Sequence, residues 1–259
     1  MQEPPATLLR LQGVTKVFAN GVTALRELAF EIRAGEFLSL VGPSGCGKST
    51  ALRLIAGIAN PTSGSVEWAG AAATDHRSEI GFVFQEPTLM PWANVADNVW
   101  LPLRLRGVSR RDATRRILES LALVGLDEFA EAYPRELSGG MKMRVSIARA
   151  LSLRPRLLLM DEPFGALDEI TRFRLNDDLL RLKRDLGCTI VFVTHSIYES
   201  AYLSTRILVM GPRPGRVIAE IPGAASAPRD ADFRTSVGYA ELCGTISKAL
   251  AASATGDAA

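Results

Sequence analysis

Residues 42–50 read Gly-Pro-Ser-Gly-Cys-Gly-Lys-Ser-Thr, which fits the pattern G-x-x-x-x-G-K-[ST]. The apolar run before it, Phe37 to Val41, suits a buried strand, and the run after it, Thr50 to Ala56, suits a helix. Strand, tight loop and helix in that order are the context a phosphate-binding loop requires. The glycines allow a turn so sharp that successive N–H groups point inward at phosphate oxygens. The start of the helix adds partial positive charge. Lys48 is expected to neutralise the β- and γ-phosphates, and Ser49 to ligate Mg²⁺. Gly42, Pro43, Ser44, Gly45, Cys46, Gly47, Lys48, Ser49 and Thr50 are therefore the candidate cradle of a nucleoside triphosphate. For Cys46 two readings stand, a reactive thiol and a small packed side chain.

The bulk of the chain fits this expectation. Its 259 residues are 47% hydrophobic and 22% charged, enough for a large domain with a real core. A net charge of +2 gives no signal for nucleic acid. Three cysteines, Cys46, Cys188 and Cys243, suggest a reducing compartment and no disulfide framework. The polar N-terminus predicts no signal peptide, and no run of 18 apolar residues predicts a bilayer span. Any membrane role is expected to run through partners.

Leu9 to Phe18 and Leu25 to Ile32 read as strands joined at Asn20-Gly21, a strong hairpin signal. Ser63 to Gly70 is expected to return to that antiparallel sheet. Ile80 to Phe84 reads as a short buried strand. From Asn94 to about Leu153 the spacing becomes helical, with Arg110 to Leu123 as an amphipathic helix and breaks at Pro91 and Pro134. Strand, helix and strands then follow at 157–160, 170–186, 189–193 and 207–210. This alternation implies a parallel sheet covered on both faces. The tail from Gly223 carries no motif, and Phe233 to Leu250 suits a helix.

Further candidates lie at the strand ends. Leu157 to Met160 runs into Asp161 and Glu162. Asp161 is the expected Mg²⁺ carboxylate, and Glu162 the group that polarises the attacking water, as general base or orienting group. His195 follows a strand at the carboxyl edge, the ligand side of such a sheet. It is read as a partner of the γ-phosphate or water. His76 reads as a surface loop residue. Gln85, a neutral amide, suits contact with Mg²⁺ or water. Ser138-Gly139-Gly140 opens a helix and forms a second anion cradle. One triphosphate hardly needs two such cradles from one chain, so each chain's second cradle is expected to cap its partner's nucleotide.

Taken together, these elements resemble the ATP-binding subunits of ABC transporters. The resemblance covers roughly residues 8–222 and rests on 42–50, Gln85, Leu137 to Gly140, 157–162, Gly165-Ala166-Leu167-Asp168 and His195. It implies an α/β fold: a P-loop NTPase with a RecA-like core, an antiparallel β subdomain and an inserted α-helical subdomain at about 87–153. Residues 223–259 would be a C-terminal extension. It also implies ATP and Mg²⁺ as ligands and a homodimer with two ATP molecules at its interface. Two transmembrane permease subunits and, indirectly, a substrate-binding protein are the further partners, with no nucleic acid. The location implied is peripheral, on the cytoplasmic face of the cell inner membrane. Asp168 would communicate between sites, Gln85 would link nucleotide to permease, and Phe18 would stack on adenine, lacking the hydroxyl of the frequent Tyr.

Met141, where many members have Gln, points to importers of nitrate, sulfonate or taurine. So do Leu89 to Val95 and the turn Met210-Gly211-Pro212-Arg213-Pro214-Gly215-Arg216. The expected activity is therefore ATP hydrolysis powering uptake of a small anion. Another cargo, such as a thiamine-precursor-type compound, an exporter and a soluble ATPase of this class are the alternatives. A kinase or GTPase is disfavoured by Ser138 to Gly140 and by the lack of an Asn-Lys-x-Asp segment. Pro87 to Trp92 is the expected docking surface, although Met90 and Trp92 read equally well as core.

Overall fold

The computed structural model describes residues 6–69, 76–224, 229 and 232–254. Among them the chain order begins with β1 (Thr7–Val17), β2 (Thr23–Arg33), β3 (Phe37–Val41), α1 (Lys48–Ile55), β4 (Ser63–Trp68) and β5 (Ile80–Val83). It continues with α2 (Val95–Leu105), α3 (Arg110–Leu123), α4 (Gly139–Leu151), β6 (Leu157–Asp161) and α5 (Glu169–Leu186). It ends with β7 (Thr189–Thr194), α6 (Ile197–Leu203), β8 (Arg206–Met210), β9 (Val217–Pro222) and α7 (Val237–Ala254). The chain divides into two compact units, 1–77 with 187–259, and 78–186.

In the first unit, β1 and β2 form the expected antiparallel hairpin, and β4 pairs along the other edge of β1. The turn closes at Asn20-Gly21, where the Phe18 N–H donates to the Val22 carbonyl at 2.9 Å. Along β1, Leu9, Leu11 and Val14 are buried while Arg10 and Gln12 are exposed, the alternation of a half-buried strand. The other strands of this unit place β3 between β7 and β8, parallel to both. All residues of these three strands are buried, as a sheet covered on both faces requires.

Two elements differ from the expectation of a purely parallel alternation. β9 adds to β8 as an antiparallel strand, because the short connection at 211–216 allows a hairpin but no crossover. A short helix, α6, follows His195. In the tail, a 3-10 turn at Phe233–Thr235 precedes α7. The Phe233 ring lies against those of Tyr202 and Tyr239, so the tail is fastened to α6. Arg229 completes that attachment by donating to the carbonyls of Tyr202 and Ser204 at the end of α6.

The second unit is one continuous stretch inserted into the first. β5 and β6 run parallel, with Ile80 opposite Leu157 and Val83 opposite Met160. Its helices begin where the side chains supply caps. Asn94 caps α2, Ser109 caps α3 and Ser138 caps α4, each accepting a backbone N–H three residues on, which replaces a missing intrahelical acceptor. α3 presents Ala113, Ile117 and Leu121 to the interior, the spacing of one helix face.

Candidate functional site

In the first unit, register brings the phosphate loop and His195 to one edge. Val41 pairs with Thr194 across β3 and β7, so Gly42 and His195 leave neighbouring parallel strands at their carboxyl ends. The loop leaves no room for side chains at Gly42 and Gly47. A Cβ on Gly42 would stand 2.7 Å from the Met210 carbonyl, and one on Gly47 would stand 2.6 Å from Leu25. Gly47 also has φ 104 and caps α1 without a side-chain bond, so the helix opens with its N–H groups toward the loop.

Lys48 is 4% exposed. Its ammonium donates to the carbonyls of Gly42 at 2.9 Å and Pro43 at 3.1 Å, which holds the cation over the loop. Pro43, Ser44 and Gly45 are exposed, Cys46 is buried, and Ser49 and Thr50 are half-buried on the first turn of α1. Burial favours the packed reading of Cys46. Phe18 is exposed at the hairpin, with the Lys16 ammonium 5.8 Å from its ring centre.

His195 is exposed, and what precedes it is tightly organised. The Thr194 hydroxyl donates to the buried Glu199 carboxylate and accepts the Ser196 N–H at 2.9 Å. Glu199 donates its own N–H to the Ser196 hydroxyl at 3.3 Å. The signal was present as Ser196-Ile197-Tyr198-Glu199, the S-x-x-E pattern of a helix start.

In the second unit, the same kind of register collects Gln85, Asp161 and Glu162. Gln85 and Glu162 each lie two residues beyond the Val83–Met160 pair. Asp161 is the last residue of β6 and is buried, whereas Glu162 is half-buried and Gln85 exposed. Glu162 has φ 46, a left-handed conformation that costs a side-chain-bearing residue about 1 kcal/mol. Such strain is kept where surrounding structure enforces it, commonly at functional sites.

Ser138, Gly139, Gly140 and Asp168 come together where α4 and α5 begin. A Cβ on Gly140 would stand 2.8 Å from the Thr171 methyl, and one on Gly139 would stand 3.5 Å from Leu167. The Ser138 hydroxyl accepts the Met141 N–H at 3.2 Å, and a hydroxyl used this way can still donate its proton. Asp168 accepts the Thr171 N–H at 2.9 Å. The N–H and then the hydroxyl of Thr171 hold its carboxyl below the usual range.

Two residues not singled out from sequence shape the loop after Gln85. Arg149 donates to the carbonyls of Pro87 and Thr88 at 2.8 and 2.9 Å, and burial lowers its pKa. Asn98, fully buried, accepts the Met90 N–H at 2.7 Å and donates to the carbonyls of Met90, Ala93 and Asn94. Pinned from beneath, this loop leaves Trp92 77% exposed and Met90 half-buried, which decides against the core reading for Trp92. His76 begins a 3-10 turn; its side chain lies outside the described residues. Among the described residues no helix is long and apolar enough to cross a membrane.

A family profile described as ABC transporter matches residues 25–165. The chain is 48% identical to the taurine import ATP-binding protein TauB of Rhizobium johnstonii, over 78% of this chain and 77% of that protein. It is 42% identical to the nitrate import ATP-binding protein NrtD of Synechocystis, over 87% and 88%. Among solved structures, the dimeric post-hydrolysis state of the ATP-binding cassette MJ0796, bound to ADP and Pi, matches with TM-score 0.72 and 37% identity. That match covers 83% of this chain and 98% of that one.

Proposed function

The chain belongs to the ABC transporter family as an ATP-hydrolysing cassette with the P-loop NTPase fold, and from that premise we propose that it powers uptake of a small anion: nitrate, an aliphatic sulfonate or taurine. The observation that carries the cargo class is the similarity over most of the chain to taurine and nitrate import subunits. On this reading residues 8–222 form the nucleotide-binding domain, with the helical subdomain at about 87–153 and 223–259 as an extension.

The glycine cradle and buried Lys48 suit a polyphosphate, because N–H groups and one ammonium are placed before the ligand arrives. Phe18 offers an exposed ring for adenine stacking. Ser49, Asp161 and Gln85 are the oxygen donors assigned to Mg²⁺, a donor set that suits a hard cation. When bound, that ion supplies charge neutralisation at the β- and γ-phosphates. Glu162 takes or orients the proton of the attacking water, and His195 hydrogen-bonds the γ-phosphate or that water. Ser138 to Gly140 reach the nucleotide of a second copy, with Asp168 communicating between the two sites. The support is an exposed helix start that a single chain's phosphate loop does not require, together with the dimeric state of MJ0796.

ATP binding then closes the dimer, and hydrolysis removes the γ-phosphate that both cradles hold. The difference in ATP affinity between closed and open dimers is the free energy that drives the permease. The exposed Trp92 and its loop supply the permease contact on the cytoplasmic membrane face, with a substrate-binding protein outside.

The test is reconstitution with a cognate permease pair and binding proteins loaded with nitrate, an alkanesulfonate, taurine or a thiamine precursor. Stimulated ATP turnover by one of the first three supports the reading. Stimulation by the precursor alone, or by none of them, overturns the cargo class.

A further inference from the structure

The turn Met210-Gly211-Pro212-Arg213-Pro214-Gly215-Arg216 links β8 to β9. In the structure it closes over the outside of the phosphate loop. The Gly211 N–H donates to the Arg216 carbonyl at 3.0 Å, closing the turn between β8 and β9. Gly215 ties the turn to β2: its N–H donates to the Ala24 carbonyl at 2.9 Å, and its carbonyl accepts the Arg26 N–H at 3.1 Å. From that anchor the turn touches the loop at three places. A Cβ on Gly215 would overlap the Cys46 carbonyl, and one on Gly42 would stand 2.7 Å from the Met210 carbonyl. The third contact is polar, with Arg213 Nε donating to the Gly45 carbonyl at 3.1 Å.

The structure assigns Arg213 as a positioning residue of the phosphate loop, one that acts on nucleotide affinity by fixing the peptide between Gly45 and Cys46. Pro43, Ser44 and Gly45 are exposed, and the bond that closes the loop on itself, Cys46 N–H to Pro43 carbonyl, is long at 3.3 Å. Carbonyl and N–H of one planar peptide point in opposite directions. A donor that holds the Gly45 oxygen outward therefore keeps the Cys46 N–H turned into the loop. The donor is a cation, so it also polarises that peptide and adds positive charge beside an anion site.

Gly45 has φ 76, and a Cβ there would lie 3.2 Å from the Arg213 guanidinium, so glycine permits both the backbone and the close approach. The flanking prolines restrict the backbone that presents the guanidinium. The inference rests on reading 42–50 as the phosphate loop. Because such loops cradle the α- and β-phosphates, Arg213 acts on ATP and ADP alike.

The experiment measures MgATP and MgADP binding to the full chain by calorimetry, with ATP turnover alongside. Arg213→Ala is expected to weaken both nucleotides by the same factor, about three- to tenfold, with KM rising by that factor and kcat changing less. Arg213→Lys, which can still donate to the Gly45 carbonyl, is expected to recover most of the affinity. Unchanged affinity in Arg213→Ala, a loss for ATP alone, or a loss that Lys does not recover overturns the assignment. Lys48→Ala separates the levels. If it binds ATP normally, the phosphate-loop reading itself fails. If it loses binding while Arg213→Ala keeps it, the role of Arg213 alone fails.

Discussion

The Thr194 hydroxyl donates to the Glu199 carboxylate, which is 5% exposed. This bond ties the last residue of β7 to the first turn of α6, with His195 between them. Glu199→Ala leaves the Thr194 hydroxyl buried beside a cavity, and we expect a loss of about 1–3 kcal/mol in denaturant unfolding. Glu199→Gln keeps an acceptor oxygen and should lose less. Equal losses for the two variants would contradict the hydrogen-bond account.

Glu162 combines a catalytic assignment with a left-handed backbone. Glu162→Gln should retain ATP binding, lower turnover by on the order of 10²–10⁴-fold and accumulate the closed dimer. A wild-type rate would refute the assignment. Glu162→Gly should also lose turnover, yet gain up to about 1 kcal/mol of stability in urea unfolding, because glycine tolerates this φ.

Asn98 and Trp92 separate support from contact. Asn98→Ala strips partners from the 90–94 loop and should cost about 1–3 kcal/mol. Trp92→Ala should change stability by less than about 0.5 kcal/mol while reducing permease-stimulated turnover. A crosslink from Trp92→Cys to a permease loop would locate the contact. No crosslink, with normal stimulation in Trp92→Ala, would remove this surface from consideration.

Asp168 gives a pH signature. Its folded carboxyl titrates below the usual 3.8 because Thr171 stabilises the charged form. The stability it contributes is therefore fully present above the unfolded value and lost as pH falls through the folded one. The stability difference between wild type and Asp168→Ala should be constant near neutrality and narrow below about pH 3.8. A pH-independent difference would show that the carboxylate charge plays no part in capping α5.

Much of the fold was legible because it is written locally. Apolar runs bounded by turn residues marked β3, β6 and β7, and Asn20-Gly21 marked the β1–β2 hairpin. Arg110 to Leu123 is α3 residue for residue, since its helical spacing starts after a Ser cap. α6 escaped notice because seven residues give little periodicity. β9 escaped because its pattern is weak, and only its pairing with β8 makes it a strand.

The sequence by itself marked the candidate site residues, those at the strand ends, namely the 42–50 loop, Asp161 and Glu162, and His195, together with the Ser138 to Gly140 helix start. Each is a short run whose backbone and side chains act within a few residues. Tertiary structure decided which of these ends meet, through the registers of Val41 with Thr194 and Val83 with Met160. It also decided what braces them. Arg149 reaches Thr88 across 61 positions, and Arg213 reaches Gly45 across 168. A hydrogen bond between groups so far apart leaves no periodicity in the chain, because both partners look like ordinary polar residues until folding places donor against acceptor.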